Sequence, residues 1–168
     1  MIETATINEG WPDFVDWEAL ASSAVSAAIA ATPHGDLASL DACVEIAIRL
    51  TDNGEIRKLN REYRHKDKPT NVLSFPMVQP DLIDGLANSD DGEILLGDIA
   101  LAYGVCEAEA QERGVSVAAH ATHLIVHGTL HLLGYDHMRD DQAETMESLE
   151  RQIMAALNLH DPYEPVED

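Results

Sequence analysis

Residues 127–137 read HGTLHLLGYDH and hold three of the chain's eight histidines within eleven positions. On a helix, residues four apart sit one turn above each other, so His127 and His131 project from the same face. Gly134 readily takes the positive φ that ends a helix, which lets the chain fold back and bring His137 in from a second direction. Three imidazoles set this way can occupy three corners of a tetrahedron and leave the fourth open. Structural zinc sites are usually closed by four protein ligands, whereas three histidines and an open position make a catalytic metal site. All-imidazole ligation favours zinc, one ion per chain. A fourth ligand from Asp136 or Asp140 would instead close the site, and the bland alternative is a set of core or surface histidines. His120 and His123 fall on the same side of the helix as His127, so a pair made of His123 and His127 is a competing arrangement. Neither uses the Gly134 turn, and both read better as hydrogen-bonded core positions or supports behind the ligands.

The spacing is also that of the metzincin pattern HExxHxxGxxH, except that Gly128 stands where the peptidase carries its general-base glutamate. A metal and an open position without that base disfavour a peptidase. They suit a substrate whose cleavage depends on anion stabilisation, and phosphodiesters fit that description. A source of positive charge lies upstream. Six of the ten cationic residues fall in RKLNREYRHKDK, residues 57–68, which carries a net +4 while the rest of the chain carries −25. A basic island in an acidic protein is a candidate anion site; the alternative is a solvated helix face.

These residues need elements to position them. Residues 1–8 read as a short strand, and Asp16 caps an alanine-rich helix to about Thr32. Val44, Ile46, Ile48 and Leu50 alternate with Glu45, Ala47 and Arg49, the pattern of a strand with one buried face. Asp52, Asn53 and Gly54 turn the chain into a helix at 54–63 that carries the first part of the basic island and leaves the rest in the following loop. NVLSFP, residues 71–76, is expected at a sheet edge because of Pro76. Residues 79–93 lack periodicity and read as a loop. NSDDGE within it fails as an EF-hand, because Ala87 falls where the first carboxylate belongs. ILLGDIALA supplies another strand, followed by helices at 102–113, 115–133 and 140–157, the last with Ala143, Met146, Leu149, Ile153 and Leu157 on one face. The order predicts an α+β fold: a small mixed sheet of about four strands surrounded by helices, with the zinc site on the long penultimate helix and the turn after it. Residues 1–168 form one metallohydrolase domain ending in a loose acidic tail at about 161–168.

The formal charge of −21 argues against a nonspecific nucleic-acid coat. Cys43 and Cys106 have no CxxC partner and are expected to be buried, unbridged thiols. The alanine-rich stretch at 19–31 is too short to span a bilayer, and nothing resembles a signal peptide; the expected location is cytoplasmic, with no membrane partner.

HGTLHLLGYDH, together with YRHKDKPTNVLSFP at 63–76 and LLGDIALA at 95–102, resembles the YbeY family of bacterial zinc-dependent endoribonucleases acting in ribosomal RNA maturation. The resemblance runs from about Cys43 to Tyr163, and the first forty residues carry little of it. It implies that His127, His131 and His137 are the zinc ligands and that Arg64 matches the family's functionally important arginine. It also implies a single-strand-directed activity in late small-subunit processing and ribosome quality control, with ribosomal RNA and the small ribosomal subunit as partners. The acidity of this member allows contact with a basic ribosomal protein. On this reading Arg64 and His127 are catalytic, and Lys66 and Lys68 bind substrate by positioning phosphates. The alternatives are a zinc-bearing, non-enzymatic ribosome assembly factor and a metallopeptidase-like hydrolase that recruits its base from elsewhere.

Overall fold

A computed structural model describes residues 1–40, 42–79, 82–83, 93–136 and 138–163. His137 and most of the acidic loop at 79–93, including all of NSDDGE but its final glutamate, lie outside the described residues. The elements in chain order are β1 (Ile2–Asn8), α1 (Trp17–Ala30), a 3₁₀ turn (Gly35–Ser39), β2 (Cys43–Thr51), α2 (Asn53–Arg64), β3 (Val72–Pro76), β4 (Glu93–Ala102), α3 (Tyr103–Arg113), α4 (Val117–Leu132) and α5 (Asp140–Ala156). The expected α+β class and four-stranded mixed sheet are what forms. Its order is β1-β2-β4-β3, with β1, β2 and β4 parallel and β3 antiparallel to β4 at the edge. Pro76, which cannot donate to a ladder, closes that edge strand opposite Gly97.

Local chemistry accounts for the boundaries. Asp16, Asp52 and Ser116 accept hydrogen bonds from the backbone N–H groups of Ala19, Glu55 and Ala119, capping α1, α2 and α4. The alternation read in β2 sends Val44, Ile46, Ile48 and Leu50 into the core beneath α1 and α4. Trp11, in the segment between β1 and α1, packs edge-on against Trp17 and Tyr103 and donates its indole N–H to the Thr51 carbonyl at 2.8 Å. The first forty residues, where the resemblance is thin, thus form a wall of the core.

Helix α4 lies very close to the sheet. A Cβ placed on Gly128 would meet Ile99 Cγ2 at 2.9 Å, and one on Gly97 would meet Leu132 Cδ2 at 2.5 Å and the Phe75 carbonyl oxygen at 2.7 Å. These two hydrogen side chains let the helix settle onto β4 and β3. Ala121, Leu124, Ile125, Val126, Leu130 and Leu132 are buried, while His127 and His131 remain partly accessible. Gly134, at φ 99°, turns the chain out of the helix as its position implied.

Two expectations are corrected. Cys106 is buried as foreseen, but Cys43 is half-exposed and its thiol lies 3.0 Å from the Glu3 carboxylate, because it starts β2 on the face away from α1 and α4. Both thiols are unbridged. The tail is not loose from its start. Arg113 donates to the Pro162 carbonyl at 2.7 Å, Arg151 pairs with Asp161 at 3.3 Å, and Tyr163 is half-buried. Residues 164–168 lie outside the described residues. Among the described residues, no helix is long and apolar enough to cross a membrane.

Candidate active site

The last turns of α4, strand β3 and the end of α2 enclose a cleft of about 380 Å³ lined by Arg64, Asn71, Ser74, His127, His131 and Asp136, among others. Arg64 is the last residue of α2, and His65 terminates the helix with φ 58°, a left-handed cap that redirects the chain. The loop that follows is clipped from within. Asn60, 1% exposed, donates its side-chain amide to the Lys68 carbonyl at 2.9 Å.

The basic island divides on folding. Arg57 is engaged by Asp67, with N–O distances of 2.8 and 3.2 Å. Arg64 makes no ion pair among the described residues and faces the same cleft as the histidines. Lys66 and Lys68 stand exposed on the loop and do not line the cleft. The structure therefore brings Arg64, at the end of α2, together with His127 and His131 of α4, and leaves the two lysines at the approach.

His127 and His131 converge as their spacing implied. Their Nε2 atoms are 3.0 Å apart, and the ring planes cross at 81°. Two nitrogen lone pairs do not face each other at that distance without a proton or a cation between them. Tetrahedral zinc with Zn–N bonds of about 2.0–2.1 Å sets its ligand nitrogens about 3.3 Å apart, so the pair has the reach and chemistry of two arms of a chelate. Among the described residues no group of three His, Cys, Asp or Glu side chains is placed to hold a metal. The third arm foreseen, His137, lies outside the described residues.

The other ring nitrogen of His127 is also engaged. Its Nδ1 lies 2.5 Å from Oε1 of Glu150, a residue of α5 that is fully buried. Glu150 Oε2 accepts from the Tyr163 hydroxyl, and His123 Nε2 lies 3.4 Å from Oε1. Burial alone would push the Glu150 carboxyl upward. The contacts with His123, His127 and Tyr163 outweigh it and hold the group down at about 2, so the carboxylate is ionised and can only accept. Burial, reinforced by Glu150, raises the Tyr163 phenol, which stays protonated and donates.

His120 and His123 are buried, in keeping with core or supporting positions. His120 Nε2 lies 2.8 Å from Glu109, whose carboxylate also takes the Asn71 amide at 3.1 Å, while Asn71 Oδ1 accepts from the Val72 N–H at 2.7 Å. Burial, opposed by Glu109, lowers the pKa of His120 and favours its neutral form. A histidine one helical stretch away from the cleft thus ties α4 through α3 to the start of β3. Sequence reasoning missed Glu150, Tyr163, Asn71 and Ser74. A signal existed for Glu150: it follows Met146 by four residues, which places a carboxylate on the apolar face of α5.

The glycine of the metzincin-like pattern has a structural explanation. Position 128 faces Ile99 on β4, where no side chain fits without displacement. A glutamate there would enter the core rather than the cleft. The base absent from the sequence is one that this packing does not admit.

Comparison with known proteins agrees with this architecture. The family model described as Endoribonuclease YbeY matches residues 14–158. Proteins named Endoribonuclease YbeY from Rhizorhabdus wittichii and Sphingopyxis alaskensis are 63% and 61% identical to the chain. The first alignment covers 100% of both chains and the second 91% of each. A protein of the same name from Zymomonas mobilis is 47% identical over 95% of this chain and 90% of its own. A solution structure of a Thermotoga maritima protein shares the fold, with a TM-score of 0.55 and 22% identity over 97% of this chain and 100% of that one.

Proposed function

The chain belongs to the Endoribonuclease YbeY family, and from that premise we propose that it is a zinc-dependent endoribonuclease that cleaves single-stranded segments of ribosomal RNA during late maturation of the small subunit and in ribosome quality control. The observation that supports this reading most directly is the shared cleft of Arg64, His127 and His131. It combines a permanently charged guanidinium with two converging imidazoles, a donor set suited to a phosphodiester. His137 supplies the third ligand. Its partners are ribosomal RNA and the small subunit, with a basic ribosomal protein as a contact for the acidic surface, and its location is the cytoplasm.

When bound, a zinc ion held by His127, His131 and His137 supplies Lewis-acid stabilisation of charge on the phosphate. The chain's own residues do the rest. Arg64, fixed at the end of α2 by the left-handed cap at His65 and the Asn60 clip, places its planar fork against the phosphoryl oxygens as negative charge builds there. Lys66 and Lys68, exposed beside the cleft, draw in the flanking phosphates and set the register of the strand. His127, held by Glu150, keeps its Nε2 aimed into the cleft.

The test is cleavage of a labelled, structured ribosomal RNA fragment by purified protein before chelation, after it, and after zinc is restored, beside His131→Ala prepared in the same way. Activity that follows zinc and is lost in the variant is the expected result. Activity shared by the variant is contaminating nuclease, and no turnover at any zinc level would leave a zinc-bearing, non-enzymatic assembly factor as the better reading.

A further inference from the structure

Glu150 is an expensive residue where it stands. It is fully buried on α5, beside Met146, Ile153 and Met154 on the buried face of that helix. Removing a carboxylate from water costs several kcal/mol even after relaxation, and an apolar residue of similar volume is often at least as stable in such a position. The compensating donors are therefore informative. They come from His127 and the Tyr163 hydroxyl, with His123 Nε2 close by at 3.4 Å but not hydrogen-bonded, all at or behind the cleft.

The Tyr163 hydroxyl donates to Glu150 Oε2, and Oε1 lies 2.5 Å from His127 Nδ1, so the hydrogen-bond geometry places the His127 proton on the nitrogen that faces the carboxylate. His127 Nε2 is then an unprotonated nitrogen aimed at His131 Nε2, 3.0 Å away. That is the tautomer a metal ligand needs, because coordination uses the lone pair. Tyr163 in turn holds Glu150. Its hydroxyl donates to Oε2, its ring stands edge-on to His123 at 5.8 Å, and the Arg151 guanidinium sits 5.6 Å from its centroid. The segment carrying it is anchored by Arg113 to Pro162 and by Arg151 to Asp161.

Resting on the reading that His127 is a zinc ligand, we propose that Glu150 and Tyr163 are positioning residues that fix the ligating tautomer and orientation of His127, so that the segment at 161–163 is a working part of the metal site. The segment acts through two hydrogen bonds in series. Loss of the tyrosine hydroxyl frees the Glu150 side chain, and an amide in its place, which donates as well as accepts, lets the imidazole proton redistribute between its two nitrogens.

The experiment uses the full chain as wild type, Glu150→Gln and Tyr163→Phe. Zinc alone is titrated in competition with a chromophoric chelator, and ring-nitrogen NMR spectra of the histidines are recorded on the metal-free proteins. Glu150→Gln is expected to weaken zinc binding by about 10- to 100-fold, the range seen when a carboxylate behind a ligating histidine is lost. Tyr163→Phe keeps the ring packing and the fold, and is expected to weaken binding about three- to tenfold, the smaller effect of a group one bond further out. In the metal-free wild type His127 should carry its proton on Nδ1, and in Glu150→Gln on both nitrogens in exchange. Zinc affinities of both variants within twofold of wild type would overturn the proposal, as would a wild-type His127 protonated on Nε2. The ribonuclease reading is decided by RNA cleavage instead, so the two fail separately: a wild type that cleaves with zinc while both variants bind it equally well sinks only the positioning role.

Discussion

Substituting Gly128 by glutamate restores the peptidase pattern on paper, and the packing of α4 on β4 says what it would do in the molecule. The first carbon of any side chain at 128 meets Ile99 Cγ2 at 2.9 Å, Cδ1 at 3.2 Å and Cγ1 at 3.3 Å, and Ile99 is itself fully buried. Overpacking of this kind costs about 1–3 kcal/mol, offset by about 1 kcal/mol of helix propensity gained on leaving glycine. Gly128→Ala should therefore lose at most about 2 kcal/mol. Gly128→Glu adds a carboxyl directed into the core. Keeping it neutral at pH 7 amounts to raising its pKa by about three units, or about 4 kcal/mol, for a total of about 4–6 kcal/mol. With a urea dependence of about 2 kcal/mol per molar, the unfolding midpoint of the metal-free protein should fall by about 2–3 M, against less than about 1 M for the alanine variant. Circular dichroism through a urea titration measures both, and a zinc-supplemented peptide hydrolysis assay should stay at background. A glutamate variant with a midpoint within about 0.5 M of wild type, or one that hydrolyses peptides with zinc, would refute the claim that position 128 faces the sheet rather than the cleft.

Other consequences can be measured directly. Arg64→Ala should lower RNA cleavage by about 10²-fold, the scale of losing one charge-stabilising donor, with zinc content by elemental analysis unchanged; equal activity would remove Arg64 from the chemistry. Asn60→Ala leaves the Lys68 carbonyl without its clip and should cost about 1–3 kcal/mol in thermal unfolding while lowering cleavage, since the loop it restrains follows Arg64. Trp11→Ala removes an indole buried against Trp17 and Tyr103 and should cost about 3–5 kcal/mol, readable in the same urea titration. The carboxylate of Glu3 holds the Cys43 thiol up at about 11, and burial holds Cys106 up at about 12. A raised thiol pKa keeps the unreactive protonated form, so at pH 8 Cys43 should alkylate on the order of 10²-fold and Cys106 on the order of 10³-fold more slowly than an unperturbed cysteine, and Glu3→Gln should speed Cys43 alone.

What could be read from the chain was whatever is written in local periodicity and punctuation. The strand at Val44 to Leu50, the edge position of Pro76 and the turn at Gly134 follow from alternation, a missing donor and a residue free to take positive φ, and they appear where expected. The approach of His127 to His131 is likewise set by the pitch of one helix. Contacts between elements were not legible. Nothing within α5 says that Glu150 meets His127 and not another donor, because that depends on how the turn after Gly134 aims the helix, and the tail's first residues looked loose because their anchors, Arg113 and Arg151, lie elsewhere in the chain. Gly128 was read as a missing base when it also marks a close approach to Ile99. Sequence shows the absent side chain, and only the packing shows why none fits.

The overall charge of −21 and a polyanionic substrate look incompatible until distance is considered. At physiological ionic strength charges separated by more than about 8 Å are largely screened, so a phosphate entering the cleft responds chiefly to the groups that line or border it. There, Arg57 is already neutralised by Asp67, which reduces the island's effective charge but spares its most useful member. Arg64 is turned into the cleft, away from that pair, and Lys66 and Lys68 remain exposed at the approach. Two carboxylates stand near the histidines: Asp136, which lines the cleft, and Glu150, which is engaged by His127 and Tyr163 inside the protein. Acidity elsewhere then works against indiscriminate RNA binding. On the proposed function, a strand would be held where its phosphate reaches Arg64 and the imidazoles together, which would tie affinity to the geometry of the site and not to the charge of the surface.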